Sequence, residues 1–202
     1  MSQFWDEKFK GEGYTYGTSP NGFLAAKAES FTPGGSVLVP GDGEGRNGVW
    51  LAERGFAVTS VDSSKVGQAK ARRLAAERNV ELRFELTDLL RWDWPVAAYD
   101  HVASIFFHLY PADRPRLHRA MLNAVKPGGL IVMEAFRPQQ LGLASGGPKE
   151  LDLLYDRAML AQDFADAEIL LLEDAEPVLD EGALHQGSAR TVRLVARRHS
   201  AS

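Results

Sequence analysis

The sequence predicts an α/β fold: one domain on a doubly wound, mostly parallel sheet of seven strands, with an antiparallel C-terminal hairpin. Three observations predict it. Between residues 36 and 136, short apolar runs alternate with helix-like patterns five times. Each alternation is punctuated by glycine, proline or a helix stop. Two further apolar runs, Ile169–Glu173 and Val192–Ala196, follow near the C-terminus, joined by a segment that reads as the turn of a long hairpin. The chain has 202 residues, which suits a single core.

The elements follow in order. Residues 1–34 form an arm rich in aromatic residues and glycine, with a short helix expected around Phe23–Ser30. The strand Val37–Val39 opens the regular pattern. A helix follows over Arg46–Arg54, with Gly55 just past its end. The second strand, Ala57–Val61, ends at Asp62. Ser63 is the expected N-cap of a helix over Lys65–Arg78. Glu81–Leu86 alternates polar and apolar, as a strand with one exposed face does. Asp100–Phe107 reads as a buried strand and Arg114–Val125 as a helix, stopped by Lys126-Pro127-Gly128-Gly129. Leu130–Phe136 is the fifth strand. Residues 138–150 read as loop, and Glu150–Phe164 as a helix. The organisation is therefore an arm (1–34), a core (35–136) and a C-terminal segment of loop, helix and strands (137–202).

Composition excludes several classes. Hydrophobic residues make up 45% and charged residues 25%, which is ordinary for a globular chain and not for a disordered or fibrous one. No apolar run approaches the roughly 18 residues of a membrane span, so no membrane partner is expected. Met1–Lys10 carries Asp6 and Glu7 and no apolar stretch of the secretory kind. Cysteine is absent, which removes disulfides, thiolate metal sites and cysteine nucleophiles. No cluster of His, Asp and Glu has metal-ligand spacing, so no metal is expected. The expected compartment is the cytoplasm. The formal net charge is −4, without the basic footprint of a nucleic-acid binder.

Chemistry concentrates at the end of the first strand. Pro40-Gly41-Asp42-Gly43-Glu44-Gly45-Arg46-Asn47 is a glycine-rich turn entering a helix. Glycine lets backbone N–H groups approach a ligand closely, and the helix N-terminus favours an anionic group. About twenty residues on, Asp62 ends the second strand, where a carboxylate can accept from both ribose hydroxyls of a nucleoside. Three readings stand on the loop alone: a tight turn with no ligand, a dinucleotide site through Gly43, Gly45 and Gly48, or another nucleoside cofactor.

Downstream pieces separate these. Thr87-Asp88-Leu89 follows the third strand, and Lys126–Gly129 precedes the fifth. With the glycine loop, Val58–Asp62 and Tyr99–Phe107, the chain from Val37 to Glu134 resembles the Rossmann-like class I S-adenosylmethionine-dependent methyltransferases. Phe4-Trp5-Asp6, Tyr14-Thr15-Tyr16-Gly17 and Gly43–Asn47 further resemble the small bacterial methyltransferases of the tellurite-resistance and thiopurine type. The resemblance implies S-adenosyl-L-methionine as cofactor. It implies that Asp62, with Ser63 beside it, binds the ribose. Asp88 accepts from the adenine amino group, with Leu89 nearby. Gly41 and Gly43 pass close to the cofactor. Ser104 and Ile105 lie under the methionine portion. Asn47 completes the loop. Trp5 and Tyr16 face the sulfonium, whose positive charge aromatic faces attract; they could equally pack the arm onto the core. One departure stands out. The family usually has an acid at the position of Val39, so Asp42 or Glu44 is the expected substitute toward the methionine amino group.

The acceptor side has no obligatory motif, because methyl transfer from a sulfonium mainly needs orientation and exclusion of water. His185, Arg137 and His108 are the candidates. The resemblance raises His185, since tellurite-type enzymes tend to carry a histidine in that region. His108 could also be a satisfied core histidine, and Arg137 could pair with Glu134. His118, between Arg116 and Arg119, reads as solvated. With little chain left outside the core, a small acceptor is expected, and a monomer or homodimer. Two alternatives remain: an NAD(P)-dependent oxidoreductase, and a cofactor-binding module without catalysis.

Overall fold

The computed structural model describes residues 2–200. Residue 1 of the arm and residues 201–202 of the C-terminal segment lie outside the described residues. The strands are β1 (Ser36–Pro40), β2 (Ala57–Asp62), β3 (Arg83–Leu86), β4 (Tyr99–Ile105), β5 (Val125–Phe136), β6 (Ala167–Ala175), β7 (Val178–Asp180), β8 (Gln186–Ser188) and β9 (Thr191–Arg198). The α-helices are α1 (Ser2–Phe9), α2 (Gly22–Lys27), α3 (Arg46–Glu53), α4 (Lys65–Glu77), α5 (Arg114–Ala124) and α6 (Arg157–Asp163). Seven strands form one sheet in the order β3-β2-β1-β4-β5-β9-β6. The first five run parallel, and β9 lies antiparallel between β5 and β6. This is the architecture expected from the sequence.

The core explains why these runs are strands. In β1, Leu38 faces one apolar cluster while Val37 and Val39 face the other. In β5, Ile131 and Met133 alternate in the same way with Leu130 and Val132. A strand buried on both faces reads as a continuous apolar run. One cluster is closed by α5 and α6, through Leu117, Met121, Leu160 and Phe164. The other is closed by α2 and α3, through Phe23, Leu24 and Leu51.

Five details depart from expectation. The helix α4 is capped by Ser64 rather than Ser63: Ser64 Oγ accepts from Gly67 N at 2.9 Å. The strand β3 starts at Arg83, two residues late. The helix expected over Glu150–Phe164 is split into a 3-10 turn, Leu151–Leu153, and α6, because Asp156 caps a new start by accepting from Met159 N. The arm begins with a helix, α1, that packs on α4. Its Asp6 accepts from Ser64 Oγ at 2.6 Å and from Val66 N at 3.1 Å. The segment expected as a plain turn, 174–190, holds its own two-stranded sheet, β7–β8.

The strand order reverses between β1 and β4. Ligand crevices of open α/β sheets lie outside the carboxyl ends at such a switch point. The loops after β1, β2 and β4 all emerge there.

Candidate functional site

The loop after β1 turns on left-handed glycines: Gly41 and Gly43 have φ of 69° and 57°. A side chain is disfavoured there on backbone grounds alone. Space adds a second reason. A Cβ on Gly43 would lie 3.1 Å from Cζ of Phe9, and one on Gly41 would lie 2.6 Å from the Phe107 ring. Two aromatic rings therefore lie on the open face of the loop.

Asp62 stands at the end of β2, directly beneath. Its Oδ2 accepts from Gly43 N at 2.8 Å and its Oδ1 from Ser64 N at 2.7 Å. Burial pushes its carboxyl up, against the pull of these backbone donors. Each oxygen keeps a further lone pair for a hydroxyl donor. Asp88 accepts from Leu90 N at 3.0 Å, and the Leu89 carbonyl takes the Trp94 indole N–H at 3.0 Å. Leu89 itself is buried in the core. Ser104 is enclosed on β4, with an Oγ that has no hydrogen-bond partner. Ser63 follows Asp62 and is half-buried.

Asp42 is turned inward and cannot substitute for the acid missing at Val39. Its Oδ2 accepts from Ser60 Oγ at 2.7 Å and its Oδ1 from Gly48 N at 3.1 Å. Burial pushes its pKa up to about 6. It anchors the loop to β2 and α3. Glu44 is engaged as well. Its Oε2 accepts from Thr15 N at 2.7 Å, and its Oε1 meets Lys70 Nζ at 2.8 Å. Lys70 also donates to Gly13 O at 2.6 Å. Asn47, expected at the cofactor, accepts from Asn21 N at 2.9 Å through its side-chain oxygen. Glu44, Lys70 and Asn47 therefore fasten the arm to the glycine loop.

That fastening places the arm's aromatic residues. Trp5 stacks on Phe9 at 5.4 Å, and Phe9 meets Tyr16 edge-on at 6.3 Å. The Lys8 ammonium sits over Trp5 at 4.9 Å and over Tyr16 at 5.4 Å. Burial lowers the pKa of Lys8. The arm's rings thus already hold a cation, as their quadrupoles favour.

His185 is brought to the same wall. It lies in the tip joining β7 to β8, where Leu184 N reaches Thr15 O of the arm at 3.4 Å. Tyr16 packs on it at 4.4 Å, with Phe106 at 4.9 Å and Phe136 at 5.4 Å, both edge-on. Phe106 is a non-glycine residue at φ 53°, a strained position just past β4. Burial lowers the His185 pKa, so the ring is a neutral base at pH 7.

The other acceptor-side candidates are not brought there. His108 has both ring nitrogens engaged by backbone, Leu153 O at 2.6 Å and Phe136 N at 3.3 Å. Burial pushes its pKa down to about 4. It is a satisfied core histidine. Arg137 pairs with Asp174 at 3.2 Å and Glu176 at 3.1 Å, not with Glu134. It braces the end of β6. His118 is fully buried, against the solvated reading. Its Nδ1 lies 2.8 Å from Asp163, which also pairs with Arg114.

Reading the residues alone missed Phe9, Phe106, Phe136, Gly146 and Glu181. The i,i+4 spacing of Glu181 and His185 was the available signal. Among the described residues no group of three or more His, Cys, Asp or Glu side chains is placed to hold a metal ion.

These residues fit S-adenosylmethionine in kind. The loop is glycine where the cofactor would pass, and Asp62 has lone pairs free at the end of β2. The groups on the loop's open face are movable rings rather than backbone. The fold is that of the class I methyltransferases, and comparison with known proteins agrees. Residues 37–129 match the family described as a methyltransferase domain, and S-adenosylmethionine is the cofactor which that domain implies. The chain is 34% identical over 121 residues to the demethylmenaquinone methyltransferase of Deinococcus radiodurans, covering 59% of this chain and 50% of that one. It is 30% identical over 149 residues to the tRNA (uracil(54)-C(5))-methyltransferase of Pyrococcus abyssi, covering 65% and 34%. The chain therefore spans half of one curated relative and about a third of the other. Among solved structures, one concerning conversion of a disulfide bond into a thioacetal group during echinomycin biosynthesis superimposes with a TM-score of 0.80 at 22% identity, over 100% of this chain and 93% of that one. TehB from Haemophilus influenzae superimposes with a TM-score of 0.73 at 19% identity, over 98% and 66%.

Proposed function

We propose that this chain, acting as one domain, transfers a methyl group from S-adenosylmethionine to a small-molecule acceptor. The observation that carries the reading is the juxtaposition at the switch point: a glycine loop over Asp62, walled by an aromatic arm that also holds His185. When bound, the cofactor supplies an activated methyl group. Asp62 accepts from the ribose hydroxyls, Gly41 and Gly43 admit close backbone approach, and the loops after β3 and β4 flank the rest. With Asp42 and Glu44 both engaged inside the protein, the methionine amino group meets no carboxylate from the glycine loop.

His185 takes the acceptor's proton when the acceptor arrives protonated. The deprotonated acceptor would then have its electron pair free for the methyl carbon, with the carbon–sulfur bonding pair left on the cofactor's sulfur. Tyr16, Phe106 and Phe136 exclude water around that step. The wall supports a small acceptor: it is built from the arm, the β7–β8 tip and the end of β5, packed ring against ring. The chain's acidic balance supports the same reading. Among the described residues no helix is long and apolar enough to cross a membrane; we place the activity in the cytoplasm, in a monomer or homodimer.

The test is a transfer assay with methyl-labelled S-adenosylmethionine and a panel of small thiols, selenols, phenols and amines. Label appearing on an acceptor, abolished by His185→Gln, is the expected result. Tight cofactor binding with no label on any acceptor would favour the binding-module reading instead.

A further inference from the structure

A buried acid beside His185, Glu181, is not used by the reading above. Glu181 is 8% exposed and lies in the same hairpin tip. Its Oε1 accepts from Asn21 Nδ2 at 3.0 Å, and its Oε2 accepts from Arg46 Nη2 at 2.7 Å. The same Oε2 lies 3.5 Å from Nδ1 of His185. That Nδ1 is enclosed and has no hydrogen-bond partner. An enclosed ring nitrogen facing a carboxylate oxygen at this distance is poised, since such bonds are often long in a free enzyme and tighten with substrate.

The far side of the ring is equally constrained. A Cβ on Gly146 would lie 3.2 Å from His185 Nε2, and φ at Gly146 is 105°. Only glycine lets the 141–147 loop pass beside Nε2. The two ring nitrogens thus face different partners, an acid on one side and a bare backbone on the other.

We propose that Glu181 is a positioning residue for His185: its carboxylate holds the Nδ1 proton, so that Nε2 carries the lone pair that takes the acceptor's proton. The proposal rests on the methyltransferase reading only for what the base acts upon. Arg46 links the two halves of the site. It begins α3, immediately after the glycine loop, and shares Oε2 with the histidine. The carboxylate that orients the base is therefore anchored from the cofactor side. The carboxylate also supports the imidazolium formed when Nε2 is protonated.

The charged and titratable groups facing His185 are Glu181 on its own hairpin, Arg46 on α3, Lys8 and Tyr16 on the arm, and His108 after β4. Arg46 and Lys8 oppose a charged ring, and Glu181 favours it. Removing Glu181 and removing Arg46 therefore move the ring's titration in opposite directions.

The experiment is ¹⁵N nuclear magnetic resonance of the imidazole ring in the full chain, free and with S-adenosylhomocysteine. In the wild type at pH 7.5 we expect a single tautomer, protonated at Nδ1 and bare at Nε2. In Glu181→Gln the ring should populate the Nε2-protonated form, and kcat should fall about tenfold or more with KM for S-adenosylmethionine unchanged. In Arg46→Met the Nδ1-protonated tautomer should persist and the ring's apparent pKa should rise. A wild-type ring protonated at Nε2 overturns the proposal, and so does a Glu181→Gln ring identical to wild type. If that variant does not fold, the wild-type tautomer alone decides. Failure to bind S-adenosylhomocysteine would sink the methyltransferase reading while leaving the tautomer result intact.

Discussion

The two walls of the site are built by different kinds of sequence. The cofactor wall is local: the β1–α3 loop, the end of β2 and the turn into α4 lie within 29 residues, from Ser36 to Ser64. The acceptor wall is assembled from afar. Tyr16, Phe106, Phe136, Gly146 and His185 come from five separate stretches of chain. Contacts that hold the walls together include Glu44 with Thr15, Lys70 with Gly13, Asn47 with Asn21, and Arg46 with Glu181. The difference teaches where the fold keeps its freedom. The cofactor wall is fixed by backbone geometry, whereas the acceptor wall can change with the arm and hairpin.

Cutting the tie between the walls should have the largest effect. Lys70→Met keeps the apolar stem and removes the ammonium, leaving Glu44 buried without its cation. Breaking such a pair costs about 3–5 kcal/mol, which denaturant unfolding would read. An unchanged stability would show that the arm is not held this way.

A change confined to the cofactor wall should be smaller and pH-dependent. Asp42 has a folded pKa of about 6, raised by burial above its unfolded value. The folded chain therefore binds more protons than the unfolded chain between about pH 4 and 6, and this term weakens the fold as pH rises through that window. Asp42→Asn can keep both contacts, accepting from Gly48 N and donating to Ser60 Oγ. It should remove that slope and gain about 1–3 kcal/mol relative to wild type at pH 7. Equal pH profiles for the two chains would contradict the assignment.

A change confined to the acceptor wall should be smaller still in energy but visible in rate. Phe136→Leu removes the ring that lies edge-on against His185 at 5.4 Å. The expected result is a kcat lowered about tenfold, about 1.4 kcal/mol, with S-adenosylhomocysteine affinity unchanged. A fall in affinity instead would mean that the two walls are coupled more tightly than those contacts suggest.

The same contrast explains what the sequence made legible. The strands of the core were readable because burial on both faces leaves an apolar run, as in Val37–Val39 and Leu130–Phe136. Asp62 was readable because its place follows from strand, loop and spacing. The helix α1 was not, since an eight-residue helix is marginal alone and here rests on Asp6 contacts to α4. The β7–β8 pair was hidden for a similar reason: its strands are three residues long, and the tip between them is tied to the arm through Thr15 and Asn21. His118 was misread from its charged neighbours. Its helical period was the better guide, because 114, 117, 118 and 121 form the buried face of α5. Asp42 looked like a ligand because composition gives residue type and not side-chain direction.

The central claim is that S-adenosylmethionine binds over the glycine loop against Asp62. Titration calorimetry with S-adenosylhomocysteine, on wild type and on Asp62→Ala, tests it directly. The account predicts binding by the wild type and an affinity about 100-fold weaker in the variant, about 2.7 kcal/mol. No heat of binding from the folded wild type, or equal affinity in the two chains, would contradict it.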